Sequence, residues 1–417
     1  MASGVRKHVV KIGETYEVLS KGHYGEGSGA ALIKASNPGM ADPPPVGKTV
    51  IIPDRPPLTS PTPGASTDVG PDELELRVDG KRFRDFVGLD LVETLDAAAT
   101  LHFSAPQSVR AEFREAFEPL AFRDCALLIG GAHVFTGTLL NPDPGTNAAE
   151  GPMIYAGAYS RCGVLGDCTM PASAYPLQYK GVSLAVIAQD LCLPFSLIVE
   201  VQGDIGGPFR RVRLKSTQKP FDLLKKLAHE RKVLLSSTAT GGLLLRQPPA
   251  VGPAVARLVD GVSPLESIKL STAPQKVFSH MTVLRKKARR VTSSAYTIQN
   301  PALIEAGVLR PGMFRSEDTN SPSELPAAAE AFAGRMQGDA AKWSCKVATW
   351  RDANGDRWAP GATVNVQSDP AFLPNPTDLI IRAARFHRTP DDRSATLELV
   401  LPGSFSGELT DKFPWQG

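Results

Sequence analysis

Cysteine is scarce in this chain. The five that occur, Cys125, Cys162, Cys168, Cys192 and Cys345, are scattered and odd in number. That excludes a disulfide framework as the organising device and predicts reduced, mostly buried thiols. Cys162 and Cys168 lack the second pair or nearby histidine that would complete a zinc site. No run approaches the ~18 apolar residues of a spanning helix, and Met1–Val10 has no apolar core of the kind a secretory leader carries. The expectation is a protein with no membrane span, assembled in a cytoplasm and released within a particle or by lysis. Excess charge is missing too. The 46 basic and 43 acidic residues leave a formal +3, which gives no global drive toward nucleic acid or anionic lipid.

Catalytic motifs are equally lacking. His8, His23, His102, His133, His229, His280 and His387 show no HExxH spacing, and there is neither a GxSxG elbow nor a Walker loop. Glu112, Glu115 and Glu118 recur at helical spacing and read as one solvated face rather than a glycosidase pair. The segment Asp352–Asp356 fails as a calcium loop, because Gly355 comes too early and Thr363 stands where a glutamate is needed. The expectation is a non-enzyme without metal or cofactor.

What is present is a long, turn-rich chain. Its 417 residues are 42% hydrophobic, with 37 Gly and 36 Pro, enough for about two to four domains. Residues 1–54 read as strand, helix, helix, strand, with Thr15 a candidate N-cap and Asn37-Pro38-Gly39 a stop. Residues 55–72 are rich in Pro, Ser, Thr and Gly and read as a semi-extended linker. From 73 onward alternating strands flank tight turns, at Asp79-Gly80, Gly130-Gly131, Gly241-Gly242, Asn354-Gly355 and Pro390-Asp391-Asp392. Three helices interrupt them. Leu184, Ile187, Ala188 and Leu191 form one stripe, Phe221, Leu224, Leu227 and Ala228 a second, and Ala328, Phe332, Arg335 and Met336 a third that follows Ser323 as N-cap. The predicted class is α+β and β-dominated, with two small antiparallel barrel-like domains, inserted α+β segments and a βααβ module at the N-terminus. The boundaries drawn are 73–175 for the first barrel, 176–260 for a middle domain, and 261–403 for the second barrel. That second barrel carries a helical insertion near 295–342, and 404–417 forms a tail. One basic run, Arg285-Lys286-Lys287-Ala288-Arg289-Arg290, follows a strand-like segment. It has no interleaved aromatics for single-stranded nucleic acid and reads as a solvated or partner-facing strand edge, or an inter-subunit salt-bridge surface, without specific nucleic-acid binding.

Two resemblances follow. The blocks His8-Val9-Val10-Lys11-Ile12-Gly13-Glu14-Thr15, Ile33-Lys34-Ala35-Ser36-Asn37-Pro38 and Gly47-Lys48-Thr49-Val50-Ile51-Ile52-Pro53 resemble a LysM module. The resemblance implies that Gly13, Glu14, Thr15, Asn37 and Pro38 line a groove for N-acetylglucosamine-containing glycan, so that peptidoglycan is a candidate ligand. The alternative is that the module is a docking adaptor for another protein. Beyond residue 72, the opening Leu74–Phe83 hairpin, the helices at Leu184–Cys192 and Pro220–Arg231, and the closing segments Asp356–Gly361 and Leu397–Pro402 resemble the Mu-type baseplate hub family of contractile tails. That resemblance implies a homotrimer forming a ring between the hexameric tail tube and the trimeric spike, among other baseplate proteins, in a virion. Subunit-contact candidates are Arg82 and Phe83 at one strand edge, and Arg285, Lys286, Lys287, Arg289 and Arg290 at another. The rivals are a LysM-anchored peptidoglycan-degrading enzyme and the hub of a non-viral contractile injection system.

Overall fold

The computed structural model describes residues 5–11, 13–24, 30–37, 40–53, 70–84, 86–107, 111–147, 151–285, 295–316 and 325–416. The first unit has strand β1 (Val5–Val9), helices α1 (Tyr16–Tyr24) and α2 (Ala30–Ala35), and strand β2 (Thr49–Pro53). The two strands pair antiparallel, and Val10, Tyr16, Leu19, Ile33, Val50 and Ile52 close a small core.

The body begins with β3 (Leu74–Val78), β4 (Lys81–Phe83), β5 (Gly88–Thr94) and β6 (Thr100–Pro106). It continues with α3 (Ala111–Ala116), β7 (Asp124–Ile129), β8 (Ala132–Asn147) and β9 (Gly151–Ser160). The β3–β4 and β7–β8 turns have both central residues at positive φ, Asp79 (46°) with Gly80 (78°) and Gly130 (58°) with Gly131 (78°). That is the type I′ geometry whose twist matches the flanking strands. A side chain at Gly130 would collide with the Pro71 carbonyl, 2.2 Å from where its Cβ would stand.

A middle unit follows: α4 (Val164–Asp167), β10 (Gln178–Tyr179), α5 (Leu184–Cys192), β11 (Val199–Gln202), β12 (Val212–Arg213), α6 (Pro220–Glu230), β13 (Leu234–Ser237) and β14 (Leu243–Arg246). The Ser183 hydroxyl caps α5 by accepting from the Val186 N–H, and the expected stripe Leu184, Ile187, Ala188 and Leu191 is fully buried. The unit has its own core running from Cys162 to Leu245, where the sequence reading drew 176–260. The difference arises because the chain leaves β9 straight into two short helices, whose Cys162 and Leu165 are buried in the middle core.

The rest comprises β15 (Arg257–Val259), β16 (Leu265–Thr272), β17 (His280–Leu284), β18 (Ala295–Gln299), α7 (Pro301–Glu305), β19 (Pro311–Arg315) and α8 (Leu325–Ala340). It ends with β20 (Ala341–Val347), β21 (Thr363–Ser368), β22 (Leu373–Arg388), β23 (Arg393–Val400) and α9 (Gly403–Ser406). The insertion expected near 295–342 supplies β18 and β19, which flank β17 in a three-stranded sheet, so the inserted unit starts earlier, at β17, and holds strands as well as helices. Helix α8 packs through Ala328, Ala329, Ala333, Gly334 and Gly338, while Phe332 and Met336 are only half-buried. A Cβ on Gly334 or Gly338 would stand 2.7 Å or 2.6 Å from α9 atoms, so small residues set this approach; of the expected stripe, Ala328 is buried and Phe332 packs against its cluster, while Arg335 and Met336 are half-buried. Its expected N-cap, Ser323, lies outside the described residues. The hairpin expected around Asn354-Gly355 shrinks to a single bridge, Arg351↔Arg357. The buried Trp350 indole donates to the Ser394 carbonyl and the Trp358 indole to the Thr349 carbonyl across the turn, while β20 pairs with β16 and β23, and β21 with β15 and β22.

The body's strands form one 13-stranded sheet that folds into two lobes. The first lobe has the order β5-β6-β9-β8-β7-β3, and the second β16-β20-β23-β22-β21-β15. Counted along the chain, apart from β4 and the insertion, the two orders are the same. Strands β8 and β22 are each 16 residues long. Each carries a bulge at the same place in its pairing with the following strand, between Leu139 and Asn141 and between Ile381 and Ala383. The lobes differ at one end, where β3 pairs antiparallel with β7 but β15 pairs parallel with β21. They join where the second half of β22 pairs with β5. One core spans the junction, from Leu74 to Phe413, and Phe413 stacks on Trp415, so the C-terminal residues pack as part of the second lobe.

Candidate assembly surfaces

In the first unit, the Thr15 hydroxyl accepts from the Val18 N–H at 3.3 Å, as a helix cap should. Gly13 has φ +84°, and nothing lies within 4 Å of where its Cβ would stand. The Glu14 carboxylate accepts from the Lys11 N–H at 2.8 Å and lies 2.6 Å from His8 Nε2. The Lys11 N–H, then His8, hold its pKa below the usual carboxylate range. Asn37 is buried, and all its amide valences face the backbone. It donates to the Ile33 and Ile51 carbonyls at 2.6 and 2.8 Å and accepts from the Ile51 N–H at 2.8 Å. Gly13, Glu14 and Thr15 thus share one turn, while Asn37 is a clamp between α2 and β2. Pro38 lies outside the described residues.

Arg82 and Phe83 stand on β4, an end strand of the large sheet. The Arg82 side chain is 65% exposed. Phe83 is half-buried against Phe113 and Phe117, so only the arginine is offered outward. Behind it, Glu75 gathers Arg77, Arg82 and Arg84 at 2.7, 3.5 and 2.9 Å. Burial opposes its charge, but hydrogen bonds from Arg84 and Arg77 win, and its pKa is lowered. Arg285 follows β17, and its carbonyl accepts from Arg315 at 3.1 Å. Lys286, Lys287, Arg289 and Arg290 belong to the β17–β18 connection and lie outside the described residues.

Two further surfaces escaped the sequence reading. Strand β16 is the opposite end of the sheet and, among the described residues, is paired on one side only, beside a concavity of about 650 Å³ lined partly by Ile268, Leu270 and Phe372. The second half of β8 runs past the end of β7 and pairs only with β9. Pro142 and Pro144 within one strand were the available signal, because proline in a strand marks an edge. Among the described residues, no cluster of three or more His, Cys, Asp or Glu could hold a metal ion. Nor is any helix there long and apolar enough to cross a membrane.

The double-lobed sheet with its N-terminal module has likenesses among solved structures. The 43 kDa tail protein of prophage MuSo2 from Shewanella oneidensis superposes with a TM-score of 0.67 at 21% identity, over 80% of this chain and 99% of that one. A tail protein from Neisseria meningitidis MC58 gives 0.66 at 19%, over 81% and 98%. The prophage tail protein gp18 from Listeria monocytogenes EGD-e gives 0.53 at 11%, over 78% and 94%. At such identities the likeness is one of fold, a fold shared with these tail proteins. Within it, residues 162–247 match the family described as baseplate hub protein gp44-like, second domain. Those limits coincide with the middle core from Cys162 to Leu245. No curated protein matches the chain in sequence.

Proposed function

We propose that this chain is the hub subunit of a contractile tail. Three copies form a ring that joins the hexameric tube to the trimeric spike, within a virion baseplate assembled in the host cytoplasm. The observation that carries the reading is the repeated strand order of the two lobes. A chain with two equivalent lobes presents six in a trimer, which matches sixfold symmetry on one side while remaining threefold on the other. The hub-family domain at residues 162–247 supports it.

The N-terminal unit, with its βααβ order, is read as the LysM-like module, acting as a docking adaptor for a tail protein. What supports docking over glycan binding is Asn37, whose amide is fully used inside the module. Gly13, Glu14 and Thr15 remain at an accessible turn. Two measurements test the proposal. Light scattering behind size exclusion on the full chain is expected to give about three times 44.5 kDa. Sedimentation with purified peptidoglycan is expected to leave the protein in solution. A monomer at every concentration overturns the ring, and co-sedimentation overturns the adaptor reading in favour of glycan contact.

A further inference from the structure

The junction between the lobes is filled once per chain, and its second counterpart is empty. In the second lobe, the half of β22 beyond its bulge leaves β21 and pairs with β5, from Ala383↔Thr94 to Arg388↔Leu89. In the first lobe, the equivalent half of β8 pairs with β9 and with no other described strand. The strand equivalent to β5 is β16, which among the described strands pairs with β20 alone.

We propose that the open half of β8 in one copy pairs antiparallel with β16 of the next copy, repeating between chains the β22–β5 junction made within each. The inference rests on the ring reading above and names its contact.

The register follows from the repeat. Aligning the two bulges sets Asp143 and Pro144 on Arg385 and Phe386. Following the ladders through β9 and β6, and through β23 and β20, sets Asp90 on Lys269 and Leu91 on Leu270. Asp143 then faces Ser271 of the neighbouring copy, one diagonal step from Lys269. Within the chain that same diagonal holds an ion pair, Arg385 Nε to Asp90 Oδ1 at 2.9 Å. Between chains it carries Asp143 and Lys269, the same pair with its signs exchanged. Both are exposed, and among the described residues neither has an ion-pair partner in its own chain.

The hydrogen bonds fit in one direction. The Leu95 N–H donates to the Arg382 carbonyl, an alternation in which Ala384 and Phe386 exchange bonds with β5. Pro142 and Pro144 hold those places on β8 and offer carbonyls but no N–H. On β16, the Ala273 N–H donates to the Ala340 carbonyl, which turns the N–H groups of Leu270 and Thr272 to the open side. These donate to the two proline carbonyls and receive nothing from the prolines in return. The result is a half ladder, weaker than the junction within the chain. It is also guarded, since prolines on an edge discourage indiscriminate strand addition.

The test uses the full chain. Asp143→Lys and Lys269→Asp alone are each expected to raise the concentration at which the trimer dissociates by about tenfold or more, and the two together to restore it. Thermal unfolding checks that each variant folds. Independently, Asp143→Cys with Ser271→Cys, in a background with Cys168→Ser, places thiols at a non-hydrogen-bonded rung, where Cα atoms lie ~4.5 Å apart. Mild oxidation is expected to give covalent dimers and trimers on a denaturing gel. A wild-type trimer that ignores both charge reversals and forms no cross-link overturns this contact and leaves the ring standing. A wild-type monomer at every concentration, without cross-linking, overturns the ring and the contact together.

Discussion

Asp72 and Arg351 stand 279 residues apart in sequence, and Arg351 Nε donates to Asp72 Oδ1 at 3.0 Å. Arg393 Nη1 reaches the other carboxylate oxygen at 2.8 Å, and the Asp72 side chain is only 12% exposed. The carboxylate thus ties the start of the first lobe to two elements of the second. Asp72→Ala leaves both guanidiniums without this partner. Because those side chains are 33% and 49% exposed, water compensates much of the loss. The expected cost is about 1–2 kcal/mol, read as a lower denaturation midpoint of the full chain with an unchanged slope. A truncation beginning at residue 73 is expected to show at least that deficit relative to one beginning at residue 70, because it also removes the Pro71 carbonyl that accepts from Arg351 Nη2. Equal midpoints for the two would remove Asp72 from the account.

Much of this fold was legible because local rules decided it. Asp79-Gly80 and Gly130-Gly131 announce their turns, and the stripe from Leu184 to Leu191 announces its helix. Strand β23 shows its buried face through Leu397 and Leu399, both 0% exposed. What was not legible depends on neighbours distant in sequence. Nothing local says that β22 changes partner halfway, from β21 to β5, so two lobes were foreseen but not their shared sheet. Helix α8 is built on alanine and glycine, whose role is close approach rather than apolar bulk, so its packing face was only partly read. Among the candidate residues, Thr15 as a cap followed from sequence. Asn37 as an internal clamp did not, because its partner Ile51 lies 14 residues away on another strand.

Acid is expected to loosen the contact between the middle unit and the second lobe. His229, on α6, touches Arg335 of α8 through its Nδ1, and Lys232 reaches Glu330 at 2.6 Å. Burial, then the charges of Arg335 and Lys225, push the His229 pKa down to about 3, against ~6.5 for a free imidazole. The unfolded chain therefore binds a proton that the folded chain refuses. Stability from this site is full above the unfolded pKa and falls as pH drops from ~6.5 toward 3. Thermal midpoints of the wild type should decline through that window, and His229→Gln should flatten the decline. A wild-type curve that stays level from pH 7 to pH 4 would contradict the assignment.

The thiols should separate cleanly by reactivity. Cys125, Cys162, Cys192 and Cys345 are buried, and Cys168 is exposed. Burial pushes the Cys162 and Cys345 thiols up to about 12 and holds the Cys125 and Cys192 thiols high as well, which leaves little nucleophilic thiolate. Under native conditions a maleimide should add once per chain, at Cys168, and Cys168→Ser should abolish the addition. The other four should react only in denaturant. Rapid native labelling of Cys162 or Cys192 would mean that the middle core opens readily.

Asn37 and Glu14 should part company under mutation, although both were candidate groove residues. Asn37→Ala strands the Ile33 carbonyl and both backbone groups of Ile51, beneath a side chain only 7% exposed. Leaving such groups unpaired costs about 2–3 kcal/mol, a large share of what a module with a six-residue core can supply. The expected outcome is early hydrogen exchange confined to residues 5–53, while the body keeps its protection. Glu14→Gln keeps an oxygen for the Lys11 N–H and gives up only the charge facing His8, so it should leave that protection nearly unchanged and alter binding by the module. Should Asn37→Ala instead keep the module protected while abolishing its binding, Asn37 would be a ligand contact, and the clamp described here would not be what holds α2 to β2.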